Sequence, residues 1–508
     1  MTRGDHGDGG LRGLVKRGVG WTMASQGVMQ VLALLTSVVV ARFMAPRAVG
    51  LAGEAIVFAT LVIVIVDFGF GAAIIQRPTL SQDELSTLFW AGIALGVLLT
   101  LAGVALSAPI ADLYGQPRVR DLFAVLSATF LIVAPGIVQG ALLIREMRFR
   151  SLELRTIAAT AVSCSTAITL AVLGAGPWAI VAQTLVMAGV STVLLWKSSS
   201  WRPRWTFSLR TLRGFLGFST HVLGAQMLTW ANANLDNLLV GRYVGASPLG
   251  AYSLAYGVAL TPVNRVAVPI TNVFFPAFSR LRERERIADV WLRAVRILAV
   301  LIVPLMFGLI AVAPDLVSAV FGRRWQAAAP VMQILAGIAL LQALTALRDG
   351  VLTALAQTRT LFRFVLVLSA LTLAGFAAGL PWGITGVAWG YLIVSVVLQP
   401  VSVWLTARAV GVSVWAWVRA VAGAVEAGAM MLAIVLVARW LLVRAGVPAG
   451  VRLAALVVLG AVVYVPAVLW RVPDIVAEVR SVLARRAVVD ASADPRGDAG
   501  VEAPAAAS

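Results

Sequence analysis

One cysteine, two histidines and two lysines are all the chain contains of three residue types on which much protein chemistry depends. A lone Cys164 cannot build a disulfide framework or a thiolate cluster, and its apolar surroundings, SCSTAITLAVLG, give it a packing role. His6 and His221 are too few for a histidine-rich metal site. Neither Lys16 nor Lys197 follows a glycine-rich loop, which excludes a Walker A motif and a built-in ATPase, and no G-x-S-x-G elbow occurs. Charge is scarce as well: 13% of residues, where a soluble globular chain carries about 25%. The sequence therefore offers no catalytic residue, no metal set and no cofactor motif, and it reads as a non-enzyme.

What the chain has in abundance is apolar surface: 60% hydrophobic residues over 508 positions, with mean hydropathy +0.92. That combination identifies an all-α integral membrane protein. A helix needs about 20 apolar residues to cross the hydrocarbon. Fourteen stretches meet the need, at roughly 19–41, 51–75, 88–108, 122–143, 156–173, 178–196, 214–240, 250–278, 294–313, 328–354, 361–379, 384–407, 416–438 and 453–470. GAGPW and GLPWG mark tight turns between neighbours. The basic start LRGLVKRG runs straight into the first stretch, which is too long for a signal-peptide core and reads as a retained span. The last residues, small and polar, read as a disordered tail.

The net charge of +18 follows membrane topology, not nucleic acid, because the bases cluster between apolar runs. With the N-terminus inside, the inner segments hold 29 Lys/Arg, counting Arg296, Arg363 and Arg419 at the inner ends of their spans, and the outer loops 10. This bias puts both termini on the cytoplasmic side of a multi-pass protein. The richest inner segments, REMRFRSLELR (145–155) and RLRERERIADVWLRAVR (280–296), read first as plain topology signals, with interfacial helices against an anionic leaflet as the alternative.

An internal echo organises the spans. VVARFMAPRAVG (39–50) returns as LVGRYVGASPLG (239–250), pairing Arg42 with Arg242, Phe43 with Tyr243 and Gly50 with Gly250. The alignment extends to Gln26 with Gln226, and six of the 34 pairs between 18–51 and 218–251 are identical. GPWAIVAQTLV (176–186) resembles ITGVAWGYLIV (384–394) at an offset of about 207. Six spans separate the copies, so both have one orientation, the parallel arrangement with a central site between halves. The expected divisions are a cytoplasmic N-terminus (1–18), an N-lobe (19–196), a cytoplasmic linker (197–213), a C-lobe (214–407), an appended span pair (408–470) and a cytoplasmic tail (471–508).

Ionisable groups at bilayer depth cost about 2.5–3.5 kcal/mol each and tend to face an interior cavity. At about 100° per residue, Gln226, Thr229, Asn232, Asp236 and Asn237 share an arc of the seventh span with His221. Such a stripe is one wall of a cargo cavity, with helix-to-helix hydrogen bonding as the alternative. Asn234 falls off it. Arg265 lies among Pro262, Pro269 and Pro276, which are expected to kink or break the eighth span, and a guanidinium there suits phosphate or a structural carboxylate partner. Arg348 lies closer to the inner leaflet, and Asp67 precedes a glycine-rich break where a capping role is expected. Glu54 and Glu426 carry weaker signals.

VVVARFMAPRAVGL, DFGFGAAIIQR followed by ELSTLFW, NLDNLLVGRYVGASPLGAYSLAYGVALTP, VFFPAFSRL and VFGRRWQAAAPVMQIL together resemble the Wzx-like polysaccharide-transport flippases of the MOP (multidrug/oligosaccharidyl-lipid/polysaccharide) superfamily over roughly residues 12–480. The resemblance implies two six-helix lobes with two further helices, a central cavity, and export of a polyprenyl-pyrophosphate-linked oligosaccharide across the bacterial cytoplasmic membrane. It gives Arg265 and Arg348 the pyrophosphate, and Asp236, Asn232, Asn237, His221, Gln226 and Gln26 places in the cavity wall. Its implied partners are membrane lipids, the lipid-linked oligosaccharide, and a polysaccharide polymerase with glycosyltransferases. The first span lacks the aspartate common in drug-exporting relatives. An ion-coupled exporter of small amphiphiles and a membrane glycosyl polymerase remain the alternatives, the latter disfavoured by outer loops of only about a dozen residues.

Overall fold

The structure, a computed structural model, describes the backbone of residues 8–77, 79–280 and 283–473. Side chains are described over these ranges except at 8–25, at 149 and at a set of positions within 216–280 that includes His221 and Arg265. The proposed tail from 474 onward lies outside the described residues.

Eighteen α-helices follow one another, with no strand among the described residues. They are α1 (Asp8–Phe43), α2 (Pro46–Asp67), α3 (Phe70–Gln76), α4 (Gln82–Tyr114), α5 (Pro117–Leu126) and α6 (Ala128–Val133). Next come α7 (Ile137–Arg145), α8 (Phe149–Val172), α9 (Trp178–Ser198), α10 (Leu209–Tyr243), α11 (Ala246–Arg280) and α12 (Arg284–Leu316). The last are α13 (Ala328–Thr345), α14 (Arg348–Ala354), α15 (Thr358–Gly379), α16 (Gly383–Val410), α17 (Val414–Arg444) and α18 (Ala449–Arg471). Eleven stretches among the described residues are long and apolar enough to cross a membrane by length and composition. One of them, Thr358–Val410, contains both α15 and α16, joined by a tight turn at Leu380–Trp382. Two further 35-residue helices, α10 and α11, carry the amides, carboxylate and prolines singled out above.

Local chemistry sets the ends. Ser81 caps α4 by accepting from the Glu84 amide (3.2 Å) while the Glu84 carboxylate accepts from the Ser81 amide (2.7 Å), a reciprocal box. Pro46 opens α2 where its missing N–H costs nothing. At the far end of α2 the chain turns through Phe68 (φ 44°) and Gly69 (φ 71°), and Asp67 accepts from the Gly71 amide at 3.4 Å. The anticipated capping role thus has a contact. The anticipated break in the eighth span does not occur: α11 is continuous through Pro262, Pro269 and Pro276. A seven-residue spacing puts all three on one face, where the lost bonds bend a helix without severing it, and neighbours in a bundle can take the freed carbonyls.

The C-terminal half has the larger core, in which Leu298, Ile302, Val331, Leu335 and Ile338 interlock fully buried among α11, α12, α13 and α16. A smaller core joins α2, α4, α5 and α6 in the N-terminal half. Between the halves, the 199–208 segment is strapped to the start of α4. Trp201 donates to the Gln82 side-chain oxygen (2.7 Å), Gln82 donates to the Arg202 carbonyl (2.7 Å), and Trp90 donates to the Arg204 carbonyl (2.8 Å) while stacking on Trp205.

The final pair of helices docks on α12. Tyr464 donates to the Val300 carbonyl at 2.9 Å, and Gly428 lets α17 close onto Val303 and Phe307. Asp315, 1% exposed at the end of α12, is clasped by Arg439 from α17 (2.6 Å) and Arg452 from α18 (2.6 Å). Breaking a buried ion pair leaves uncompensated charge and costs about 3–5 kcal/mol. Asp315→Ala is therefore expected to lower thermal stability in detergent by several degrees, whereas Glu283→Ala, which removes an exposed pair with Arg286, shifts it by about 1 kcal/mol or less.

Candidate functional site

Most of the polar residues expected to form a cavity wall lie on α10, whose first turn is capped by Ser208 accepting from the Thr211 amide at 3.2 Å. Their exposure differs. Asp236 is 3% exposed and accepts from the Tyr252 hydroxyl of α11 (3.0 Å) and from the Asn237 amide (2.7 Å). The Asn237 side-chain oxygen is buried without a partner among the described residues, whereas Asn232 is exposed. Gln226 reaches the other half of the molecule, donating to Asp67 at 3.5 Å. Trp230 does the same to Thr60 at 3.1 Å. Asn234, which had no place on the stripe, donates back to the Trp230 carbonyl one turn earlier (2.9 Å). Gln26, on α1, has a buried side-chain oxygen that lacks a partner among the described residues. His221 and Arg265 have described backbones in α10 and α11 and side chains outside the description.

At the end of the bundle where α1 and α10 stop and α2 and α11 begin, the two halves meet backbone to backbone. A Cβ on Gly50 of α2 would overlap the Ala246 carbonyl oxygen of α11, and a Cβ on Gly250 of α11 would overlap the Pro46 carbonyl oxygen of α2. The two contacts are reciprocal, each residue having its counterpart 200 positions on. Around this crossing the end of α1 hooks onto the turn after α12. Arg42 donates to the carbonyls of Val320 (2.6 Å) and Ala319, and Trp325, 1% exposed, donates to the Ala41 carbonyl (2.7 Å). On the other flank, Gly241 of α10 faces Tyr114 and Glu54: a Cβ there would stand 2.8 Å from the tyrosine ring and 3.2 Å from the glutamate side chain. Glu54 is fully buried, and neither its carboxyl oxygens nor the Tyr114 hydroxyl has a hydrogen-bond partner among the described residues.

Arg348 opens α14 and lies apart from α10, in a cavity of about 240 Å³ walled by α13, α14, α15 and α16. Its Nε donates to Asp349 at 2.8 Å, its Nη1 donates to Ser402 at 3.1 Å, and its guanidinium lies 4.5 Å from the Phe364 ring centre. A second cavity, about 460 Å³, lies in the N-terminal half between α2, α6, α7, α8 and α9 and includes Asp67 and Arg155.

Sequence reasoning reached Asp236, Gln226 and Asp67 individually, and the structure joins Gln226 to Asp67 and Asp236 to Tyr252. It passed over Tyr114 and Trp325, whose roles come from long-range packing. The echo of Gly50 in Gly250 was the available signal for the crossing. Gly50→Val inserts a side chain into the Ala246 carbonyl, so the halves must part there. A cysteine at Leu249, 0% exposed, placed in a Cys164→Ala background, is expected to react with maleimide in membranes at least tenfold faster when Gly50→Val is added. Unchanged labelling would contradict the seal.

Residues 39–330 match the family model described as "Polysaccharide biosynthesis protein". The chain is 33% identical to the teichuronic acid biosynthesis protein TuaB of Bacillus subtilis (strain 168) over 351 residues, 68% of this chain and 72% of that one. It is 29% identical to the lipopolysaccharide biosynthesis protein WzxC of Escherichia coli (strain K12) over 397 residues, 76% and 80% of the two chains. Among solved structures, the lipid II flippase MurJ in its inward closed conformation superposes with a TM-score of 0.73 at 14% identity, covering 89% of this chain and 99% of that one. A multidrug resistance transporter of the MATE family and MOP superfamily, facing inward, gives 0.60 at 15%, covering 75% and 94%. The fold is therefore that of the MOP exporters, and the chain belongs to the polysaccharide biosynthesis protein family.

Proposed function

We propose that the chain is a flippase that carries a polyprenyl-pyrophosphate-linked oligosaccharide from the inner to the outer leaflet of the bacterial cytoplasmic membrane by alternating access. It makes and breaks no covalent bond in doing so. The reciprocal crossing of Gly50 on Ala246 and Gly250 on Pro46 carries this reading. A close backbone crossing at one end of the two halves is a contact that a carrier can make and break to admit cargo from one side at a time. The relatives named for teichuronic acid and lipopolysaccharide biosynthesis, and the solved lipid II flippase, support glycan-bearing lipid as the cargo class.

In this reading fourteen spans form two six-helix lobes, 19–196 and 214–407, related by a parallel pseudo-two-fold axis, with 408–470 appended and 197–213 as linker. Residues 1–18 and 471–508 are cytoplasmic, which puts the sealed end outside. Glycosyltransferases supply the cargo and a polymerase receives it. Asn232, Asn237, Gln226, His221 and Gln26 are the candidate positions for contact with the cargo, and Asp236 ties α10 to α11 through Tyr252. Of the two arginines considered for the pyrophosphate, Arg348 already has its charge balanced by Asp349, so Arg265 takes that role.

The test is the purified protein in liposomes with a fluorescent polyprenyl-pyrophosphate glycan, scored by leaflet translocation. A charge-assisted hydrogen bond is worth about 1.5–3 kcal/mol, so Arg265→Ala is expected to slow flipping about ten- to a hundredfold with membrane insertion unchanged. Translocation of small cations instead of the lipid, or equal loss of insertion in the variant, would contradict the assignment.

A further inference from the structure

The cavity around Arg348 has a lining whose chemistry is more specific than a charge. The Gln342 side-chain nitrogen donates to the Tyr391 hydroxyl at 2.6 Å, which leaves the tyrosine proton and the Gln342 side-chain oxygen to meet a ligand. The Gln399 side-chain nitrogen is buried and has no partner among the described residues. Phe364, Leu368 and Leu341 supply the apolar part of the wall. Arg348 is held by Asp349, Ser402 and Phe364, so a phosphate would have to displace a carboxylate already 2.8 Å from Nε.

The N-terminal half supplies a built-in comparison. Tyr391, Ser395, Leu398, Gln399 and Ser402 on α16 line this cavity, and the residues 207 positions earlier on α9, Thr184, Ala188, Ser191, Thr192 and Leu195, line the other one. There Thr184 donates to the Ile180 carbonyl at 3.1 Å and Thr192 to the Ile132 carbonyl at 2.9 Å. Opposite the phenol of Tyr391 and the amide of Gln399, the residues 207 positions earlier are thus threonines bonded to backbone.

Amide and hydroxyl donors and acceptors, apolar wall and balanced charge together suit an uncharged ring bearing several hydroxyls and C–H faces. At about 240 Å³ the space is below the ~300–1,000 Å³ typical of drug-sized ligands, so it takes one ring and not a chain. We propose that the cavity between α13, α14, α15 and α16 binds a single neutral sugar residue of the lipid-linked glycan, read by Gln399, Gln342 and Tyr391. The proposal rests on the flippase reading and adds to it a place where cargo is discriminated by its glycan.

The experiment compares flipping, in liposomes, of polyprenyl pyrophosphate carrying no sugar, one neutral hexose, one N-acetylhexosamine or one hexuronic acid. The parent protein should move at least one neutral-sugar lipid faster than the bare lipid. In Gln399→Ala, and separately in Gln342→Ala, the ratio of that rate to the bare-lipid rate should fall about five- to tenfold, the weight of about one hydrogen bond. Thr192→Ala, in the other half, should leave the ratio where it was. Excess free methyl glycoside should slow the sugar-bearing lipid in the parent and less so in Gln399→Ala. An unchanged ratio in both glutamine variants, or an equal fall in Thr192→Ala, overturns the sugar site alone. No flipping of any lipid by the parent overturns the flippase reading, and the sugar site with it.

Discussion

Everything else in the molecule is arranged around two backbones that touch. In a bilayer there is little hydrophobic drive to bring helices together, so association depends on close packing and hydrogen bonds, and small residues permit both. Gly50 and Gly250 bring α2 and α11 so close that each α-carbon lies against a carbonyl of the opposing helix. Any side chain at either position would hold the halves apart. The flanking contacts, Arg42 and Trp325 on one side and Tyr114, Glu54 and Gly241 on the other, need that approach before they can form. All of these contacts cross between halves.

The halves are alike in plan and unlike in execution. α1 runs along α8 of its own half, whereas α10, its counterpart, leans onto α2, α3 and α4 of the opposite half. Arg77 fixes that lean from the far side by donating to the Gly214 carbonyl at 3.1 Å and lying over Phe215. The C-terminal half also carries the larger core and the clasp at Asp315. The helices α16 and α9 that line the two internal cavities also differ in chemistry, with Tyr391 and Gln399 on one and the backbone-bonded Thr184 and Thr192 on the other.

The sequence conveyed the all-helical membrane fold clearly, because apolar run length and the distribution of arginines are direct consequences of the bilayer. Gly50 and Gly250 were visible as a repeat, but their contact was not, since an echo in sequence does not say that its copies touch. The polar stripe on α10 was read by rotating an isolated helix, which cannot know that Tyr252 claims Asp236 and Asp67 claims Gln226. Of the kink or break expected at the three prolines of α11, the break does not occur: local propensity weakens a helix, but a bundle can hold it continuous. Gln342, Tyr391 and Gln399 gave no signal at all, because they sit on separate helices and meet only in the folded chain.

The central claim is that the crossing must open for transport to occur. Gly53 and Leu249 pack across it, a Cβ on Gly53 standing 3.6 Å from the Leu249 side chain. With cysteines at these two positions and Cys164 replaced by alanine, oxidation would lock the helices together in the membrane. The account predicts that flipping of the lipid-linked glycan stops when the bond forms and returns when it is reduced. Undiminished flipping by fully cross-linked protein would contradict it.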